Sequence, residues 1–425
     1  MSTVNEKQLS TLEELNASKR VVVVLIKWKY PFFTELQNFQ KPRDAGLVGI
    51  FAEQTKAQMF EGFDKHFDLI FWYKADYTLF EGVYCDSNTI FVPEVTDLVQ
   101  KISINKLKLL DTEEFMIDFL CQLRKDFGIA GPLKEDLEPL RNKAMLKTCI
   151  HKAGIPTAKF SIVHFESVRN QADIQSAIQE TIQQIGQFPM FRKPISGCGS
   201  GGGGQLASEQ ELERWMKEEV DNGQKGTYLI EECMVGREFW AMVCLLPSKK
   251  WRPLMLLHCG DTPVGESLRK GLPMKFIGRR FEHFEDEFPR MEKFVDEVIR
   301  VLKPPHPHQF CVQGFQLKPK TSDYFFTECG YRLNGARGSG VSHGACGVSL
   351  ETALLQCHMD LGYQAEVDPS WGNLKEAQVW WPYNKGFIRS HNTVPADAPI
   401  NSSVELRWKM EVGDKMCDPN RSPTS

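Results

Sequence analysis

The chain has 425 residues, of which 42% are hydrophobic and 25% are charged, and its formal net charge is −4. A chain of this length and composition can bury a large core and corresponds to roughly two or three domains. The nearly balanced charge argues against nucleic acid or an acidic membrane surface as a partner. Scattered cysteines without a C-x-x-C pair, no signal-peptide pattern and no long apolar run predict a cytoplasmic protein with reduced thiols.

Short apolar runs alternate with polar segments in the first third of the chain. Val21–Ile26, Leu47–Phe51, Phe67–Trp72 and Thr89–Val92 are continuous apolar runs of the kind found in buried parallel strands. Their alternation with helical segments predicts a doubly wound α/β domain. No G-x-G-x-x-G follows the first run, which argues against a Rossmann-type dinucleotide site there.

Two helices are predicted beyond these strands. Asp111 and Glu114 have the spacing of an N-terminal capping box for a helix over residues 111–127, in which phenylalanines recur on one face. A second helix is predicted over Arg141–His151, because Gly154 with a proline two residues beyond it is a standard helix stop.

A glycine-rich loop follows an apolar strand near residue 190, within a segment that predicts a small α/β lid. Six of the eight residues from 197 to 204 are glycine, and Lys193 stands at the end of the strand. Glycine lets backbone N–H groups converge on phosphate oxygens, and a lysine neutralises phosphate charge. The pattern predicts phosphate binding, with a flexible Gly/Ser linker as the alternative. It is not a P-loop, because no GK[ST] follows.

A predicted hairpin, YLIEECMVGREFWAMVCL, lies about 35 residues further on. Glu231, Glu232 and Glu238 surround its turn at Val235–Gly236. Carboxylates and exposed backbone at such a turn suit recognition of an adenine edge and of ribose hydroxyls. The alternative is a solvated hairpin.

A second predicted hairpin occupies GFQLKPKTSDYFFTECGYRLNGARG. Gln316 and Glu328 are expected on adjacent strands, facing the same cleft. Glu328 offers a hard oxygen ligand suited to Mg²⁺. Arg332 lies four residues after Glu328, and its planar guanidinium group can bind a phosphoryl or carboxylate oxygen. The alternative is a surface hairpin with a salt bridge.

In this order and at these spacings, the segments resemble the ATP-grasp superfamily of carboxylate–amine ligases over about residues 130–360. The family pattern has a lysine in a helix before an "aGIP" turn, which RNKAMLKTCIHKAGIP supplies with Lys143. Next in the family pattern comes a lysine at the end of a strand, followed by a glycine-rich lid loop. An acidic hinge strand followed by GREF comes after it, and the pattern ends with a metal-binding pair of strands, here ending in FTECGYRLNGARG.

The resemblance implies ATP as the nucleotide and Mg²⁺, or Mn²⁺, as the metal. Lys143 and Lys193 would contact the α- and β-phosphates, the backbone at 231–234 would bind adenine, and Glu238 would bond the ribose. Arg332, with Lys193, would be catalytic, and Arg332 would stabilise an acyl phosphate. The implied metal ligands are Glu328 and Gln316. The implied nucleotide-binding residues are Lys143, Lys193, Gly199, Ser200, Gly201, Gly202, Glu231, Glu232, Met234 and Glu238.

The sequence departs from the family at two metal-binding positions. The family usually has a carboxylate where this chain has Gln316 and an asparagine where it has Gly330. A glutamine oxygen can ligate Mg²⁺ but brings no charge, and glycine offers no side chain. Asn334 is nearby, four residues out of register. Metal binding is therefore expected to be weaker or arranged differently.

The fold that the resemblance implies is an α/β ATP-grasp fold. It has an N-terminal doubly wound, pre-ATP-grasp domain at 1–130, linker helices with a small α/β lid at 131–232, and a C-terminal α+β subdomain with the metal site at 233–413. The polar tail at 414–425 is predicted to be disordered.

The implied function is an ATP-dependent ligase that activates a small carboxylate, such as an amino acid, as an acyl phosphate. An amine then forms the carbon–nitrogen bond, and ADP and phosphate are released. The stretch SHGACGVSLETALLQCHMDLG resembles the amino-acid ligase branch, which includes carnosine-synthase-like enzymes. Homodimers are common among such ligases. A nucleotide-binding pseudoenzyme or regulatory module and an ATP-grasp phosphotransferase remain alternatives.

Three further groups of residues are interpreted as structural. His306 and His308 have no carboxylate or thiol near them in sequence, so they are read as loop residues and not as metal ligands. Cys198 and Cys233 are interpreted as packing residues, because an acyl-phosphate mechanism needs no thiol. The basic run Lys270–Arg280 is interpreted as a solvated loop, with an anionic substrate as its alternative partner.

Overall fold

Three large β-sheets carry the fold in the computed structural model. It describes residues 6–27, 32, 34–36, 38–73, 98–196, 203–260, 262–270, 272–334, 338–367, 376–380, 386–387 and 415–416. One sheet is parallel and two are antiparallel, as expected for an α/β chain with a separate lid. Every helix within the described residues is too short or too polar to cross a lipid bilayer.

The first sheet is parallel, has the strand order β3-β2-β1-β4, and confirms the predicted doubly wound arrangement. Its strands are β1 (Val21–Lys27), β2 (Ala45–Ala52), β3 (Leu69–Tyr73) and β4 (Leu107–Asp111). Every residue of β1 and β2 is buried, because the helices Glu6–Ser18 and Ile117–Phe127 cover one face and C-terminal elements cover the other. The predicted strand Thr89–Val92 lies outside the described residues.

The start of the first predicted helix is wrong. Asp111 does not cap a helix; it ends β4, which pairs in parallel with β1. The helix begins later, at Ile117, and ends at Gly128 in the left-handed conformation (φ 67°). The second predicted helix, Arg141–His151, is confirmed as Lys143–Lys152, which starts two residues later, and a separate helix, Lys134–Arg141, precedes it. They divide at Asn142, whose side chain accepts hydrogen bonds from two N–H groups of the second helix and so starts it.

The second sheet forms the predicted lid and is antiparallel, in the order β5-β8-β6-β7. Its strands are β5 (Phe160–His164), β6 (Met190–Pro194), β7 (Gly204–Leu206) and β8 (Thr227–Glu232). The helices Gln171–Ile185 and Glu209–Asp221 pack on one face through a core of their own, separate from the other cores. The small sheet therefore has the construction of an independent subdomain.

The third sheet has six strands in the order β13-β12-β9-β10-β11-β14. They are β9 (Arg237–Leu245), β10 (Trp251–His258), β11 (Met274–Arg280), β12 (His308–Gln316), β13 (Tyr324–Gly330) and β14 (Glu376–Trp380). Odd-numbered residues 239–245 of β9 pack against the helix Met291–Leu302. Even-numbered residues of β9 face the N-terminal domain and the helix Leu350–Met359. The helices Val264–Lys270 and Gly338–Cys346 complete this part.

The tail predicted to be disordered, 414–425, lies outside the described residues except at two positions. Lys415–Met416 form a strand, β16, which pairs with β15 (Gly386–Phe387). The prediction of disorder is wrong for these two residues, because backbone pairing with 386–387 orders them.

Phe239 tests the packing of the six-stranded sheet. It is fully buried, and its ring lies 5.7–6.1 Å from those of Phe288, Phe294 and Tyr324. Phe239→Ala should lower the free energy of unfolding by about 3–5 kcal/mol, measured by urea denaturation. The control is Val235→Ala, at a side chain that is 82% exposed, with an expected change within about 0.5 kcal/mol. Equal stability of the two variants would contradict the packing described.

Candidate functional site

One buried carboxylate, that of Glu231 on β8, is shared by two lysines. Its Oε1 lies 2.6 Å from Nζ of Lys147, and its Oε2 lies 2.5 Å from Nζ of Lys193. Lys193 reaches it from β6, because Phe191 is paired with Glu231 and Lys193 lies two residues further along the same face. Lys147 reaches it from the helix Lys143–Lys152. Three elements therefore meet at one carboxylate.

Lys147 has no exposed surface, and its ammonium group faces three acceptors. Besides Glu231, it donates to Thr157 Oγ1 at 2.6 Å and to the carbonyl of Phe326 at 3.1 Å. The Thr157 hydroxyl donates in turn to the same carbonyl at 2.9 Å. Because Phe326 belongs to β13 and Thr157 leads into β5, Lys147 joins the lid to the six-stranded sheet.

The charges of this cluster stabilise one another. Burial alone would raise the pKa of Glu231, but the ammonium groups of Lys147 and Lys193 lower it to about 2. Burial would lower the pKa of Lys193, but Glu231 and then Glu328 raise it above its usual value. Burial lowers the pKa of Lys147, against the opposing effect of Glu231. Glu231 is therefore ionised throughout the physiological pH range.

A second group of polar side chains lies on one face of the six-stranded sheet. Gln313 on β12 is opposite both Trp240 on β9 and Glu328 on β13, so the three side chains share that face. With its amide oriented to satisfy both neighbours, Gln313 donates to Glu328 Oε1 at 2.9 Å and accepts from Trp240 Nε1 at 3.1 Å. Glu238 lies two residues before Trp240 and points to the same face.

The carboxyl of Glu238 is half-buried beside these groups. Desolvation and, to a smaller extent, the charge of Glu328 raise its pKa to about 7, against the hydrogen bond that it accepts from the Val264 N–H at 2.9 Å. Glu328 also raises the pKa of Lys193. The acidic face of the six-stranded sheet and the lysine of the lid are therefore within electrostatic reach of each other.

Gln316 does not share this face, so the expectation that it lies in one cleft with Glu328 is wrong. It pairs with Tyr324, and its amide donates to the carbonyls of Glu287 at 2.7 Å and Thr321 at 2.9 Å. The β12–β13 register shifts after Gln313, and this irregularity places Gln313 opposite Glu328. Glycine at 330 ends β13 opposite Cys311.

Arg332 is held in an ion-pair network. Its Nε lies 3.0 Å from Glu114 Oε2, and Arg141 binds the other oxygen of Glu114 at 2.9 Å. Arg141 also pairs with Asp118 at 2.6 Å. Glu114 and Asp118 belong to the N-terminal domain, so the network fixes the predicted catalytic arginine at a junction between domains.

The other predicted nucleotide-binding residues have separate surroundings. The backbone N–H of Lys143 donates to the carbonyl of Ile195 at 2.9 Å, so Lys143 starts its helix beside the end of β6. The Glu232 carboxylate accepts from the Lys159 N–H at 2.9 Å, at the edge of the lid. Met234 is half-buried in the turn before β9. Gly199, Ser200, Gly201 and Gly202 lie outside the described residues.

Glycine at 236 is required by the turn that joins β8 to β9. Its φ is +154°, and an added Cβ would lie 2.5 Å from the carbonyl oxygen of Gln316. Only a residue without a side chain allows this approach. The turn therefore packs directly against the backbone at the end of β12.

The remaining candidates have structural partners. His306 Nδ1 lies 3.0 Å from the carbonyl of Leu246, and His308 begins β12 and stacks on Tyr331 at 4.1 Å. Among the described side chains, no three His, Cys, Asp or Glu residues cluster in a way that could hold a metal. The interpretation of 270–280 as a solvated loop is wrong, because Met274–Arg280 is strand β11. Cys198 lies outside the described residues, and Cys233 is half-buried.

Two site residues are missing from the sequence predictions, Lys147 and Gln313. Lys147 lies one helical turn after Lys143 and follows Leu146. This second lysine at helical spacing was the sequence feature that could have indicated Lys147 as a site residue. No sequence pattern indicated Gln313 as a site residue, because its position opposite Glu328 depends on the shift in register between β12 and β13.

Comparison with known proteins rests on structure. No family model and no curated protein matches the sequence. Similar solved structures include an L-amino acid ligase from Bacillus licheniformis, 14% identical, with a TM-score of 0.53 over 80% of this chain and 75% of that one. A biotin carboxylase from Campylobacter jejuni is 14% identical, with a TM-score of 0.57 over 83% and 73%.

A third similar structure is N5-carboxyaminoimidazole synthetase from Staphylococcus aureus in complex with ADP, which is 13% identical, with a TM-score of 0.55 over 83% of this chain and 81% of that one. All three neighbours are ATP-grasp ligases. The chain therefore has the ATP-grasp fold.

Proposed function

We propose that the protein is an ATP-dependent ligase that activates a small carboxylate as an acyl phosphate and joins it to an amine. The observation that carries the proposal is the arrangement of charge. A lysine of the lid, Lys193, is bound to Glu231 at 2.5 Å and lies within electrostatic reach of Glu328 and Glu238 on the six-stranded sheet. A cationic lid opposite a carboxylate that can hold a metal is what a nucleoside triphosphate with a divalent cation requires.

A Mg²⁺ or Mn²⁺ ion that is bound mainly through nucleotide phosphates needs only one or two protein carboxylates, and Glu328 can supply one although the described side chains form no three-residue metal cluster. Glu328 is a hard oxygen ligand on the face that Lys193 approaches, and Glu238 supplies a second carboxyl there. Glu328 would hold the metal, and Gln313 would keep the Glu328 carboxylate oriented through its 2.9 Å hydrogen bond. The bound metal would neutralise phosphate charge.

The chain's own residues would place the nucleotide. Lys143 and Lys193 would contact phosphate oxygens, together with the glycine-rich loop at 197–204. The backbone at 231–234 would bind the adenine, and Glu238 remains the candidate for a ribose hydroxyl. One similar structure is an L-amino acid ligase and another, the synthetase, is in complex with ADP, and both support this assignment.

The reaction then follows from positioning and electrostatics. An oxygen of the substrate carboxylate attacks the γ-phosphorus, and the bond to the β,γ-bridging oxygen breaks, which releases ADP. The amine nitrogen attacks the acyl carbon, phosphate leaves, and the nitrogen loses a proton. Arg332, fixed by Glu114 at 3.0 Å, would hold the acyl phosphate oxygens. A closed lid would exclude water from the intermediate.

One alternative has a specific observation behind it. Positions 313, 316 and 330 carry neutral residues, and Gln316 is committed to two backbone carbonyls away from Glu328. These features favour a nucleotide-binding module without turnover as the second candidate. The class of the acid, an amino acid or a related carboxylate, and a homodimeric state remain parts of the first proposal.

The assay for the proposal combines the protein with ATP, Mg²⁺, and pools of amino acids and small carboxylic acids. ADP, phosphate and a condensed product should form. Lys193→Met and Glu328→Gln should each lower the rate by about 100-fold or more, because each removes a charge that acts on the transferring phosphoryl group. The control is Lys225→Met, at an exposed lysine of the lid, with the rate unchanged.

Three results would contradict the ligase assignment. Nucleotide binding without ADP formation in any pool would identify the non-catalytic module. ADP with a stable phosphorylated product would identify a phosphotransferase. Full activity of Lys193→Met would show that the lid lysine has no part in the reaction.

A pair of glutamine substitutions tests the register at the metal site. Gln313→Glu adds a carboxylate beside Glu328, so Mg²⁺ should raise the melting temperature of this variant more than that of the wild type. Gln316→Glu instead places a charge against two carbonyl oxygens and removes two donors, which should cost about 2–4 kcal/mol of stability with or without Mg²⁺. Thermal denaturation with and without Mg²⁺ distinguishes them. A Mg²⁺-dependent gain in Gln316→Glu alone would contradict the observed register.

A further inference from the structure

The two lysines on Glu231 differ in what surrounds them. Lys147 is fully buried, donates two hydrogen bonds and forms an ion pair with Glu231 at 2.6 Å. The side chain of Lys193 keeps 15% of its surface exposed and lies near the acidic face at Glu328. Lys147 is therefore closed to a ligand, whereas Lys193 is not.

We infer that Lys147 is a positioning residue: it holds the Glu231 carboxylate, which in turn fixes the Lys193 ammonium where nucleotide phosphates bind. The inference rests on the proposed nucleotide site. It assigns to Lys147 an effect on phosphate binding without any contact to the nucleotide.

The charge balance of the cluster gives the physical reason. Two lysines and one carboxylate leave one net positive charge. Without Lys147, Lys193 would be the one cation paired with Glu231 among the described residues, and the pair would be neutral. An incoming phosphate would then compete with Glu231 for the same ammonium group. With Lys147 in place, Glu231 is already compensated, and the charge of Lys193 remains effective toward phosphate.

The contacts also separate this role from a purely structural one. Thr157 and the carbonyl of Phe326 already connect the lid to β13 through their own hydrogen bond at 2.9 Å, and the Phe326 N–H donates to Pro156 at 2.8 Å. The ion pair of Lys147, at 2.6 Å, is with the carboxylate that binds Lys193. A structural tie predicts a loss of stability alone, whereas a positioning residue also changes the affinity for phosphate groups.

The experiment is a calorimetric titration of the full chain with adenosine and with ADP, both with Mg²⁺. Lys147→Met, Lys193→Met and the double variant are compared with the wild type. The ratio of ADP affinity to adenosine affinity should fall about tenfold or more in Lys147→Met, with adenosine affinity within about twofold of the wild type. In the double variant, this ratio should fall by much less than the product of the two single effects, because both substitutions act through one ammonium group.

Two further variants complete the design. Lys152→Met, at an exposed position of the same helix, should leave the ratio unchanged. Lys147→Arg keeps the charge, so it should retain the ratio within about threefold even where its melting temperature falls. Lys147→Arg therefore tests the inference if Lys147→Met does not fold.

The outcomes separate the inference from the proposed function. A wild-type chain that binds neither ligand, or that binds ADP no better than adenosine, overturns the nucleotide site itself. A wild type that favours ADP, with the same preference in Lys147→Met, overturns only the role of Lys147. A tenfold loss of the ratio in Lys147→Arg, or fully multiplicative effects in the double variant, also contradicts the inference.

Discussion

The carboxylate of Glu231 is the contact on which the rest of the site depends. A buried charge is stable only where its partners compensate it, and removal of one partner of a buried pair costs roughly 3–5 kcal/mol. Glu231 has two partners, at 2.6 Å and 2.5 Å, that arrive from a linker helix and from a lid strand. The same contacts that make the burial of Glu231 tolerable also place Lys193 opposite the acidic face of the six-stranded sheet.

The lid and the large sheet are joined at a few short-range polar contacts near this carboxylate. Lys147, Thr157 and the carbonyl of Phe326 form one junction, and Gly236 packs against the backbone of Gln316 at the other. The lid otherwise has a core of its own.

The sequence predicted the elements whose apolar pattern is continuous and missed those set by tertiary contacts. The runs at β1 and β2 and the helix Lys143–Lys152 were identified, because a buried strand has a clear local pattern and a glycine followed by a proline marks a helix end. Asp111 had the spacing of a helix cap, but pairing with β1 made it the end of a strand. The place of Gln313 beside Glu328 follows from a shift in register, which no local pattern records. The partnership of Lys147 with Glu231 joins residues 84 positions apart (231 minus 147) and is equally invisible in the sequence.

The central claim is that nucleotide phosphates bind between Lys193 and Glu328, while the ion pair with Glu231 fixes the position of the Lys193 ammonium group. A crystal structure with a non-hydrolysable ATP analogue and Mg²⁺ tests it most directly. The account predicts phosphate oxygens within hydrogen-bond distance of Lys193 Nζ, a metal bound to Glu328, and Glu231 still in contact with Lys147. A nucleotide bound elsewhere, or a metal bound on the Gln316 side of the sheet, would contradict the account.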